Sequence, residues 1–155
     1  MAAREKLAKA EASVVAIQQK LTTLNADLDT TRQEKKATEQ AIAGIEERKK
    51  KLAELKKQQE EIEKFYNTPN EDGSKRNRSQ KYAGVAMRPQ DIKKKITNFE
   101  TSMVGDEEAL GRLREELKKT NGSIDSYLGK IGTAERDLIG AKRAQEELSI
   151  AVTEA

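Results

Sequence analysis

The chain has 155 residues, of which 37% are charged, 35% hydrophobic and only 3% aromatic, and its 30 Lys+Arg against 27 Asp+Glu leave a net charge of +3. It holds no Cys and no His, which excludes disulfides, thiolate nucleophiles, imidazole bases and the usual zinc ligands. No apolar run approaches the ~20 residues of a bilayer span. The N-terminus MAAREKLAKAEASVVAIQQK has no unbroken apolar core, so the expectation is a cytoplasmic chain without a membrane span.

Taken in order, residues 1–66 read as one helix. Apolar or tolerated residues recur every seven positions in two interleaved sets. One set is Leu7, Val14, Leu21, Leu28, Lys35, Ile42, Lys49, and the other is Ala10, Ile17, Leu24, Thr31, Thr38, Ile45, Leu52. This 3-4 spacing is that of a coiled-coil seam. After Leu52 the next apolar residues are Leu55, Ile62 and Phe65 or Tyr66, a slip of one three-residue step that overwinds the helix locally. Asn67-Thr68-Pro69 then stops it.

Residues 67–88 carry Pro, Gly, Asn and Ser without a sustained period and read as an irregular tip loop. Pro89, with Asp91 close behind, opens a second helix that the repeat carries through 89–155. Its sets are Ile96, Met103, Leu110, Leu117, Ile124, Ile131, Leu138, Gln145, Val152, and Ile92, Phe99, Asp106, Leu113, Thr120, Tyr127, Ala134, Ala141, Leu148. Gly105, Gly111, Gly122, Gly129, Gly132 and Gly140 all fall outside those sets, on outer positions.

Two such helices joined by a loop predict an all-α fold: a long antiparallel coiled-coil hairpin forming one elongated domain. If residue i faces residue 155 minus i, Leu7 meets Leu148, Leu24 meets Ile131 and Ile45 meets Leu110. The in-seam charges Lys49 and Asp106 then fall opposite each other. Sliding by one heptad places Asp106 against Ile42 and Lys49 against Phe99, so this polar pair penalises wrong registers. A parallel dimer of either helix is disfavoured, because Lys35, Lys49 and Asp106 would each oppose an identical charge.

Function is less legible, and three features bear on it. Residues 46–100 carry 15 Lys+Arg against 10 Asp+Glu, with Lys75, Arg76, Arg78 and Lys81 in the loop itself. Such a patch suits phosphates or an acidic protein surface. The apolar tip residues Tyr82, Val85 and Met87, with Phe65 and Tyr66, either cap the hairpin or form a docking surface. At the base, Val15, Ile139 and Ile150 lie off the seam, and off-seam aliphatics suggest a second helix pair making a four-helix bundle, hence a homodimer.

No catalytic residue, cofactor-binding motif or metal-ligand cluster is found in the sequence. The expectation is a non-enzymatic structural or adaptor protein that mediates protein-protein assembly through a partner protein or itself. Two alternatives are a nucleic-acid-binding arm acting through the basic tip and a chaperone-like helper for a helical or exported client.

Overall fold

The computed structural model describes residues 2–76 and 88–154, and among them it is all-helical. Helix α1 runs Ala2–Asn67, α2 runs Pro89–Ser102 and α3 runs Asp106–Glu154, with no strand among the described residues. None of these helices is long and apolar enough to cross a membrane.

The ends of the helices follow their sequence signals. At the close of α1 the amide of Thr68 donates to the Lys64 carbonyl at 3.0 Å and its hydroxyl to the same oxygen at 2.6 Å, so the last turn is tied off before Pro69. A tight turn follows, in which the Gly73 amide donates to the Asn70 carbonyl at 2.9 Å with Gly73 at φ +83°, a conformation glycine adopts without steric cost. Arg88 is extended at φ −99° and ψ 163°, and its amide donates to the Asp91 carboxylate at 3.1 Å. Together with Pro89 at the first helical position this builds the expected helix start.

The predicted second helix, 89–155, is two helices. Met103, Val104 and Gly105 are non-helical between α2 and α3, and Gly105 sits at φ +89°. Its carbonyl accepts the amide of Ala109 at 2.9 Å, opening α3, and Asp106, Glu107 and Glu108 fill that helix's electropositive first turn.

The contacts divide the chain into two compact units: Met1–Glu39 with Glu115–Ala155, and Gln40–Arg114. In the first unit, every expected seam residue is buried or half-buried, from Leu7 to Thr38 and from Leu117 to Val152. Leu24, Leu28, Ile131 and Ala134 make its core, with Leu21, Ile124 and Tyr127 packed against them. Thr31 and Thr120 form a polar layer in this seam, and each hydroxyl donates to the carbonyl four residues back at 2.8 Å, Asp27 and Glu116 respectively. The layer therefore leaves no hydroxyl stranded.

The second unit is centred on Ile62, Ile92 and Ile96, flanked by Leu52, Leu55 and Tyr66. Ile62 and Ile92 are wholly buried, and Ile45 and Leu110 are 5% and 2% exposed. Here the three-residue slip in α1 explains why the second segment breaks. Leu52 and Ala53 line the same groove as Met103 and Asp106, so the slip and the interruption lie side by side. The partner residues Ile96, Phe99, Met103, Asp106 and Leu110 keep an unslipped 3-4 repeat. A slip of this kind overwinds the supercoil locally, so the two repeats mismatch over those turns. The backbone yields at Gly105, where left-handed geometry is cheapest.

Candidate interaction surfaces

Asp106, expected to face Lys49, lines a groove with it and is gripped by the neighbouring Arg48. The guanidinium donates through Nε to Oδ2 at 2.8 Å and through a terminal nitrogen to Oδ1 at 2.7 Å. Lys49, one residue on, pairs with Glu107. The reason lies in shape: a planar fork satisfies both oxygens of a buried carboxylate, whereas an ammonium supplies one point contact and is better placed on the exposed neighbour. These hydrogen bonds hold the Asp106 carboxyl below the ordinary carboxylate range and raise the Arg48 guanidinium above its usual value. A third pair, Arg114 with Glu46 at 3.6 Å, is exposed on both sides.

The basic tip is only partly within the described residues. Arg78, Lys81, Tyr82, Val85 and Met87 lie outside them. Lys75 is exposed, and Arg76 is half-buried against α1. The Arg76 guanidinium stands 4.2 Å from the centre of the Phe65 ring and donates to the Phe65 carbonyl at 3.1 Å. Phe65 in turn meets Tyr66 edge-on, with ring centroids 5.0 Å apart. Arg76, Phe65 and Tyr66 thus close the C-terminal end of α1, where a cation complements the helix carbonyls. Of the flanking basic runs, Lys50, Lys51, Lys93, Lys94 and Lys95 remain exposed.

The off-seam aliphatics Val15, Ile139 and Ile150 are 50%, 61% and 52% exposed. Two more emerge that the sequence reading missed, Leu128 at 45% and Val104 at 82%. Both follow directly on a seam residue, Tyr127 and Met103, and counting one past each seam position finds them. Among the described residues no three His, Cys, Asp or Glu side chains converge on a metal-sized site. The groove bounded by Asp27, Glu34, Lys119 and Ser123 is shallow and lined mostly by charged and hydroxyl side chains.

No family model matches this chain, and no curated protein or solved structure is significantly similar to it.

Proposed function

We propose that the chain is a cytoplasmic, non-enzymatic antiparallel coiled-coil hairpin that mediates protein-protein assembly. The observation that carries this reading is the burial pattern. All the expected seam residues are withdrawn from water at 3-4 spacing in each unit, while aliphatics outside the seam stay exposed. Contacts within each unit are those of antiparallel segments: Leu24 and Leu28 cluster with Ile131 and Ala134 in the first, and Ile62 with Ile92 and Ile96 in the second. Two-helix pairs leave their outer faces wet, and aliphatics on such faces gain by packing against further helices. With Arg76 stacked on Phe65 and hydrogen-bonded to its carbonyl, one guanidinium of the basic tip is already engaged within the chain.

Two experiments test it. Because the chain has no Cys, Lys6→Cys with Ala151→Cys gives a clean pair for a short bis-maleimide. Efficient cross-linking within one chain is expected, and its failure sinks the hairpin. Photo-cross-linking from Gln19 or Lys51 in living cells is expected to yield discrete protein adducts. Adducts that vanish on nuclease treatment would replace this reading with the nucleic-acid arm.

A further inference from the structure

We propose that one side of the first unit is a homodimer interface, an inference that rests on the paired-helix reading above. In an antiparallel pair, residues that directly follow seam residues on both helices share one side, and residues that directly precede them share the other. Contacts within each unit obey this rule. Asp27, Thr30, Glu34, Lys119 and Ser123, each preceding a seam residue, border a common groove in the first unit. Glu46 and Arg114, each following one, form an ion pair in the second.

The two sides of the first unit differ in chemistry. The preceding side carries Lys20, Asp27, Glu34, Lys119, Lys130 and Asp137. On the following side α1 exposes Val15, Gln18, Thr22 and Asn25, and α3 presents Leu128, Gly132, Glu135 and Ile139. In a chain that is 37% charged, that central patch holds one charge, Glu135. Depletion of charge around aliphatic anchors is the compositional mark of an interface core. Arg4, Glu11, Asp29, Arg32, Asp125 and Lys142 surround it on the same side, which is the arrangement of a polar rim.

Extent and charge argue for a second copy as the occupant. At ~1.5 Å per residue and a width of two helices of ~10 Å each, the side from Arg4 to Glu39 presents about 1,000 Å². A stable interface needs about 800 Å² per partner. A patch with a single charge meets its own image with little repulsion. It offers nothing to steer a highly charged partner. A two-fold axis through such a self-matching patch closes the assembly at a dimer. Ile150 lies two residues past Leu148 and stays outside this patch.

The test is absolute mass by light scattering behind a sizing column, in high salt. The expected mass is twice the 17.3 kDa of one chain. Val15→Glu combined with Leu128→Glu is expected to halve it with helical circular dichroism retained, while Val104→Glu leaves it unchanged. A single Gln18→Cys is expected to cross-link two chains at least tenfold faster than Thr30→Cys, which lies on the charged side. A single-chain mass for the unaltered protein overturns the inference while the assembly reading survives with another partner. A dimer indifferent to Val15→Glu with Leu128→Glu, or equal cross-linking from both sides, overturns the placement. Failure of the Lys6–Ala151 cross-link within one chain overturns the hairpin beneath it.

Discussion

The two units are built on the same sequence repeat, yet they are held in different ways. In the first, seam residues are mostly half-buried, the helices are unbroken and the core is the modest cluster of Leu24, Leu28, Ile131 and Ala134. In the second, the repeat slips in α1 and the other segment breaks, yet it holds the most deeply buried side chains: Ile62, Ile92 and Leu110. Its ion pairs, Arg48–Asp106, Lys49–Glu107 and Arg114–Glu46, flank the start of α3. The lesson is that a regular seam spreads modest burial over many residues, whereas an irregular one concentrates burial and charge where the register would otherwise drift.

The largest expected effect follows from that concentration. Ile62→Ala or Ile92→Ala removes a wholly buried side chain and should cost about 2–5 kcal/mol in denaturant unfolding. Leu21→Ala, at a half-buried position of the first unit, should cost distinctly less, because water already covers part of the side chain it replaces. Equal losses at the two sites would erase the contrast drawn between the units.

Acid should act on the second unit through Asp106. Its carboxyl is held below the ordinary range, chiefly by the Arg48 hydrogen bonds, so the folded state binds this proton less readily than the unfolded chain. The stability contributed is fully present above the unfolded carboxylate pKa of about 4. It is lost as the pH falls through the depressed folded value. Hydrogen exchange across residues 92–110, followed downward from pH 5, should therefore show increased opening. Asp106→Asn should be less stable at neutral pH and should show a flatter acid dependence. An unchanged acid profile in that variant would show that Asp106 is not the linked group.

How much of this was legible in the sequence depends on side-chain reach. The seam was readable because a 3-4 repeat of apolar groups has one way to leave water, and Leu7 to Val152 follow it. The partner of Asp106 was not, because heptad position places Cβ atoms and does not say which of two adjacent cations, Arg48 or Lys49, has the geometry to grip both oxygens. The interruption at Met103–Gly105 was hidden for a related reason. Its own residues keep a regular repeat, and the cause lies in the overwound stretch of α1 at Leu52 and Leu55. The cap formed by Arg76 over Phe65 brings together residues eleven apart through a turn whose path no periodicity encodes.

Glycine substitutions sharpen the comparison further, because they should carry opposite signs in the two units. Gly105 stands at φ +89°, where a Cβ meets the neighbouring carbonyl, so Gly105→Ala should cost about 1–2 kcal/mol in the second unit. If instead the variant is more stable, the 103–105 break straightens at little cost and the slip in α1 does not enforce it.

The smallest effect is expected at Gly140, in α3 within the first unit. Its backbone is helical and nothing lies within 4 Å of where a Cβ would stand. Gly140→Ala therefore adds a methyl without a clash and restricts the unfolded chain, a gain of about 0.4–1 kcal/mol. Gly140 directly precedes the seam residue Ala141, which puts it on the charged side of the unit and away from Val15 and Leu128, so the gain should be the same at every protein concentration. Thermal melts over a hundredfold range of concentration separate the two contributions. A stabilisation that grows with concentration would mean that the face bearing Gly140 is also covered by another chain, and the division of the first unit into one open and one covered side would have to be redrawn.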